Sequence, residues 1–184
     1  MRQGIKGLID RECEHARAGR AAHVIIKNNA VADPAMIKVL YRASQCGVKI
    51  DLVVRGVCCL RPGIPGISDG ITVRSVVGRF LEHSRIYYFH NAGEPEVYIG
   101  SADLMERNLD RRVEVLCPVR DEELRDHLRS VVLQSLLNDT HRASVLRTDG
   151  SYVRATPAKD EVPVSSQQFL LDSSTKPSDQ FSAE

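Results

Sequence analysis

The chain has 184 residues, 25 of them Lys or Arg and 24 Asp or Glu, enough for one domain with a sizeable core. A formal net charge of +1 excludes the strong positive field of a protein that coats nucleic acid, although a local anion site depends on arrangement and not on the sum. The five cysteines, Cys13, Cys46, Cys58, Cys59 and Cys117, are odd in number and lack CxxC spacing, which reads as reduced thiols and excludes a disulfide frame or zinc site.

In chain order, "QGIKGLIDRECEHARAG" sets Ile5, Leu8, Ile9, Cys13 and Ala16 on one helical face, with Gly19 as the stop. "AHVIIKNN" reads as a buried strand. In "ADPAMIKVLYRASQCG" Asp33 suits an N-cap, Pro34 the first helical turn and Gly47 the end. "VKIDLVV" is a second strand, so the links predict a βαβ unit, a parallel pair and an α/β fold. Arg55 to Gly70 holds four glycines and two prolines, a loop after the C-terminal end of a strand, where α/β folds build sites. "ITVRSVV" alternates as a strand does, and "SRIYYFH" and "EVYIGS" flank the turn "NAGEP" as a hairpin. "RRVEVLCPV" is expected as the last strand, followed by the amphipathic helix "DEELRDHLRSVVLQSLLND". The folded domain is expected over 1–155. Residues 156–184, rich in Ser, Gln, Asp, Pro and Lys, are expected to form a disordered tail. No basic-then-apolar leader opens the sequence and no apolar run approaches membrane-span length, so a cytoplasmic protein is expected.

The pattern His-x-Arg occurs at His15, His83 and His127. The first and third copies fall on predicted helices. At the head of a strand His83 and Arg85 would point to one side, where imidazole and guanidinium could meet one anionic group; the alternative is a histidine that ends a strand. In "GSAD" Gly100 permits close approach and Ser101 could hold a phosphate oxygen, or Ser101 or Asp103 could cap a short helix. Arg55 and Arg61 lie on the glycine-rich loop and suit phosphate through their planar donor forks, or are surface charges. Lys27 ends a strand within reach of a phosphate on the same terms. Cys58 and Cys59 read as packing residues. In "RNLDRRVEV" the arginines around Asp110 read as an ion-pair cluster. No metal-ligand spacing, Walker loop or GxGxxG is present.

Taken together, "LIDRECEHARAGR", "KNNAVADPAMIKVLYRASQCGVKIDLVVRGVCCLRPGIPG", "VRSVVGRFLEHSRIYYF", "EVYIGSAD" and "RNLDRRVEVLCPV" resemble the C-terminal domain of bacterial polyphosphate kinase, from about Ile5 to Arg154. The resemblance implies a phospholipase-D-like half with a mixed sheet flanked by helices, and the reversible transfer of the terminal ATP phosphate to polyphosphate. His83 matches the family's second histidine, a catalytic and ATP-contacting residue, and Arg55 matches an ATP-contacting arginine. Lys27, Arg61, Arg85 and Ser101 remain phosphate-contacting candidates. The resemblance further implies Mg2+ held by upstream residues and a homo-oligomer in the full-length family. A cytoplasmic location, free or in a complex peripheral to a membrane, is expected. The phospho-acceptor histidine belongs to an upstream half that matches nothing in these residues, so activity would require that half or a full-length subunit as partner. The alternatives are a nucleotide- or polyphosphate-binding module and a dimeric phospholipase-D-like phosphodiesterase. After "GSAD" the family's aromatic and proline are replaced by Leu104 and Glu106.

Overall fold

A buried strand, a capped helix and a second buried strand close the centre of the sheet. The computed structural model describes residues 1–175, with the backbone alone at 174 and 175. In it β1 (His23–Asn28) and β2 (Lys49–Val54) run parallel, with Ile25 beside Asp51 and Lys27 beside Val53. Both are apolar on alternate and adjacent positions because both sheet faces are covered. Between them, α2 (Pro34–Gln45) begins at Asp33, whose Oδ1 accepts the Met36 N–H at 2.8 Å. It ends before Gly47, at φ +92°, a left-handed turn that glycine adopts without strain.

Ahead of this unit, α1 (Arg2–Arg17) buries Ile5, Ile9 and Cys13 and packs Leu8 and Ala16 against the same core. Glu12, fully buried on that face, accepts the N–H groups of His23 at 3.1 Å and Asn91 at 2.6 Å. A carboxylate thereby satisfies two strand-end amides that would otherwise be buried without partners.

β3 (Ile71–Val76) joins β2 in parallel, while β4 (Arg85–Phe89), β5 (Glu96–Gly100) and β6 (Leu116–Val119) extend the other side antiparallel. The second face is covered by α3 (Glu122–His127), a π-helical stretch Leu128–Leu133 and α4 (Gln134–Leu137). Asp121 caps this run at Leu124 N, 2.9 Å away. Leu133 packs with Ile25, Ile86, Tyr88 and Val97, and Leu136 with Val53 and Val76. The sheet is therefore mixed, with helices on both faces, as expected.

Two expectations are corrected. The "LCPV" strand is not the last: β7 (Ala143–Leu146) pairs with β3, and β8 (Tyr152–Arg154) pairs with β7. The full order is β6-β5-β4-β1-β2-β3-β7-β8. The Asp149-Gly150 turn joins β7 to β8, with Gly150 at φ +89° and its N–H on Arg147 O at 2.9 Å. Secondly, the segment after 155 is not structureless as far as the structure describes it. It returns to the sheet and forms α5 (Ser166–Thr175), where Ser166 N and Oγ both donate to the buried Asp139 carboxylate, at 2.8 and 2.7 Å. The expectation for 176–184 lies outside the described residues.

At the far edge of the strands, His23 Nε2 lies 2.7 Å from Asp51 Oδ2, and Thr72 Oγ1 donates to Oδ1 at 2.6 Å. Burial pushes the Asp51 carboxyl up, but His23, Thr72 and the Lys49 charge outweigh it and hold it at about 2. A depressed carboxyl stabilises the fold above its unfolded value and loses that contribution as pH falls through the folded one. Asp51→Asn is therefore expected to remove about 2 kcal/mol of stability at neutral pH. Its urea midpoint is expected to converge on that of the unmodified chain between about pH 4 and pH 2.

Candidate active site

Topology collects one group of side chains at one sheet edge. β1 and β2 end there at Asn28 and Val54. β4 runs the opposite way and begins there at Arg85, and β5 ends there at Gly100. Asn29, Arg55, His83, Arg85 and Asp103 follow or precede these strand ends by a few residues.

Asp103 is the centre of the group. Its Oδ1 accepts Arg85 Nε at 3.2 Å, and its Oδ2 accepts Arg85 Nη2 at 3.1 Å. Oδ1 also takes the Asn29 backbone N–H at 2.7 Å and Asn29 Nδ2 at 3.3 Å. With the Arg85 and Asp103 side chains only 11% and 7% exposed, this is a buried, two-pronged ion pair. Burial pushes the Asp103 carboxyl up, yet the Arg85 and Asn29 hydrogen bonds prevail and hold it below the ordinary carboxylate range.

Two candidate side chains hang from this centre. Arg85 Nη1 lies 3.0 Å from His83 Nδ1 and 3.0 Å from His83 O. A guanidinium has no acceptor, so Nδ1 must accept, and the neutral ring carries its proton on Nε2. On the other side, Arg55 Nε donates to Asn29 Oδ1 at 3.1 Å. This fixes the Asn29 amide orientation, because its Nδ2 faces a carboxylate. The result is one continuous chain of hydrogen bonds, Arg55–Asn29–Asp103–Arg85–His83. His83 is exposed and Arg55 half-buried. Among the described residues, neither the Arg55 terminal amino groups nor His83 Nε2 has a hydrogen-bond partner, and no carboxylate pairs with Arg55.

The sequence-predicted candidates divide accordingly. His83 does not open β4: it sits two residues ahead of it, in the 77–84 loop, and meets Arg85 through that arginine's reach and not through strand alternation. Arg85 is committed to Asp103. Lys27 is 4% exposed and donates to Ser84 O at 3.0 Å, with Glu82 at 3.5 Å. Burial pushes its pKa down, Glu82 pulls it back up, and the Arg55 and Arg85 charges add to the lowering. It supports the loop from below. The Ser101 hydroxyl donates to Glu114 and accepts the Val115 N–H at 3.1 Å, so it neither caps a helix nor stands free. Gly100 is needed because a Cβ there would lie 2.3 Å from Val115 O; the close approach is to β6. Arg61 is outside the group: its backbone meets Tyr41 and Ser68, and its guanidinium lies near Gly150 of the β7–β8 turn. The Cys58 thiol is pushed up to about 11 by burial, which suits packing. Asp110 pairs with Arg2 of α1, not with its arginine neighbours. Leu104 is fully buried and bridges Val31.

Among the described residues no cluster of three or more His, Cys, Asp or Glu could hold a metal ion, and Asp103 has both oxygens engaged. These residues do not fit an Mg2+ ligand set. No described helix is long and apolar enough to cross a membrane.

Asn29 was quoted in the sequence phrases without a role and Asp103 only as a possible helix cap, because the two partners lie 74 residues apart. Truncating one member of a buried pair leaves the other uncompensated. Asp103→Ala is therefore expected to lower the unfolding free energy by about 3 kcal/mol or more. Ser101→Ala, at an exposed hydroxyl, should stay within about 1 kcal/mol; urea melts of the two variants check both.

The comparisons with known proteins agree with this architecture. The family described as polyphosphate kinase C-terminal domain 2 matches residues 1–167. A polyphosphate kinase of Prochlorococcus marinus is 51% identical over 171 residues, which is 93% of this chain and 24% of that protein. One from Pseudomonas putida is 50% identical over 177 residues, 96% of this chain and 24% of its own length. The crystal structure of the Porphyromonas gingivalis polyphosphate kinase superposes with a TM-score of 0.89 at 40% identity, covering 95% of this chain and 27% of that one. A phospholipase D family member, Nuc of Salmonella typhimurium, shares the fold at a TM-score of 0.50 and 14% identity, over 74% of this chain and 88% of its own. The chain spans about a quarter of the length of the polyphosphate kinases it matches. It belongs to the polyphosphate kinase family, as that family's C-terminal domain 2.

Proposed function

We propose that this domain is the ATP-facing half of a polyphosphate kinase site, with Arg55 and His83 as its contacts to the nucleotide's phosphates. The observation that carries the reading is the hydrogen-bonded chain. It ends in two donors, the Arg55 fork and His83 Nε2–H, that have no protein partner among the described residues. Phosphoryl transfer asks little of a protein beyond holding the reacting groups in line and placing fixed donors where charge develops on the phosphate oxygens. Arg55 suits the second task, since its guanidinium stays charged and matches two phosphate oxygens at once.

His83 suits a donor's task better than a nucleophile's. An attacking imidazole needs an unprotonated ring nitrogen, and here the nitrogen that lacks the proton is already held by Arg85. On this reading the nucleophilic histidine comes from the upstream half of the family's chain. ATP and polyphosphate are the substrates, and that half, or a full-length subunit, is the partner. His83 Nε2–H stabilises the phosphate or gives its proton to the departing oxygen. The phosphodiesterase alternative needs His83 as nucleophile and is disfavoured by the same tautomer. A binding module without turnover remains the second reading, since the described hydrogen-bonded chain ends in donors at both Arg55 and His83.

Calorimetric titration with ATP, with magnesium in the buffer, tests the assignment. Arg55→Ala and His83→Ala are each expected to weaken binding by about tenfold, the loss of one charge-assisted contact. His127→Ala, on α3, should leave it unchanged. Equal effects at His127 and His83 would refute the site. Turnover of a model phosphodiester, abolished by His83→Ala, would favour the phosphodiesterase instead.

A further inference from the structure

The loop that carries His83 has almost nothing apolar to hold it. Phe80 and Leu81 are 48% and 75% exposed and Val77 61%, so burial does not fix residues 77–84. Loops of that kind open at little cost unless polar contacts restrain them. The restraint comes from the segment whose composition reads as a tail. Gln167, in the first turn of α5, accepts the Phe80 N–H on Oε1 at 3.0 Å and returns a bond from Nε2 to Phe80 O at 2.8 Å. The side-chain amide thereby pairs with the loop backbone as a neighbouring strand would. The same Nε2 lies 3.0 Å from Glu82 Oε1, while Glu82 Oε2 faces Lys27 Nζ at 3.5 Å and Lys27 holds Ser84 O. His83 is therefore bracketed by Glu82 and Ser84, each tied down.

α5 is itself anchored. Asp139 takes Ser166 N and Oγ on Oδ2, and Arg142 N and Ala143 N on Oδ1 at 2.6 and 3.0 Å. Val164 O receives the N–H groups of Thr140 and His141, both at 3.0 Å. Gly78 completes the fit: a Cβ there would lie 2.2 Å from Gln167 Oε1, so only a residue without a side chain lets the amide reach the loop.

We propose that Gln167 is a positioning residue for His83, and that the 156–175 segment acts as a strap that sets the β3–β4 loop in its ligand-binding form. The positioning role rests on the reading of His83 as a phosphate contact; the strap itself does not. Two substitutions on opposite elements break the same contact: Gln167→Ala removes the amide, and Gly78→Ala displaces it from the loop side without touching α5. Gln168→Ala, whose side chain bonds Asp172 within α5, is the control.

The test uses the 184-residue chain and reads Phe80 amide hydrogen exchange, ATP affinity and melting temperature together. Both strap variants are expected to speed Phe80 exchange and raise the ATP dissociation constant, each on the order of tenfold, as the loss of the paired bonds dictates. Melting temperatures should stay near that of the unmodified chain, and Gln168→Ala should match it in all three. Unchanged Phe80 exchange in both variants would overturn the strap. Faster exchange with unchanged ATP affinity, in a chain where His83→Ala does weaken binding, would overturn the positioning role. If His83→Ala leaves ATP affinity untouched, the reading of His83 fails, and Phe80 exchange alone decides whether Gln167 fixes the loop.

Discussion

The Asp103 carboxylate is the constraint on which the site depends. It lies beyond β5, yet it holds Arg85 at the head of β4 and Asn29 beyond β1, and through them it sets His83 and Arg55. A buried ion pair is weak grounds for expecting added stability, because desolvating two charges cancels much of their attraction. Its value here is directional. The two-pronged geometry leaves Arg85 one remaining amino group, Nη1, and that group fixes the His83 tautomer. Arg85 is therefore engaged within the protein, while among the described residues no carboxylate pairs with Arg55, the cation proposed to meet phosphate.

Lys27 follows the same logic. A lysine at the end of a central strand is costly to bury as an ammonium, and its pKa is pushed down accordingly. The structure keeps it by giving it Ser84 O and Glu82, which turns a candidate ligand into a prop beneath the 77–84 loop. Among the described residues, Lys27 and Arg85 are thus spent on architecture, while no carboxylate pairs with Arg55. A strand edge built this way keeps a fixed geometry while adding little charge, consistent with a chain whose formal sum is only +1.

Much of the fold was legible because its signals are local. Asp33-Pro34 and Gly47 bracket α2, and buried runs on either side of it demand a parallel pair. What escaped depended on distant partners or short segments. The four residues of β7 are too few for a periodic signal, and the Asp149-Gly150 pair after it was not read as a hairpin turn. α5 docks through Ser166 on Asp139 and not through an apolar stripe, so composition suggested disorder. In the site, His83 and Arg55 were singled out by their phrases and by resemblance. Arg85, Lys27 and Ser101 were read as phosphate-contacting candidates because their protein partners, 18, 57 and 13 residues away, leave no trace at short spacing. Gln167, 87 residues from Phe80, was invisible for the same reason.

Whether His83 can donate to a phosphate depends on which of its ring nitrogens carries the proton. Imidazole nitrogen NMR on the labelled chain, assigned through His83→Ala, reads this directly. The neutral ring is predicted to be the Nε2–H tautomer, and to shift toward the Nδ1–H form when Asp103→Asn loosens Arg85. A neutral ring already protonated at Nδ1 would contradict the Arg85 contact, and with it the assignment of His83 as a donor to phosphate.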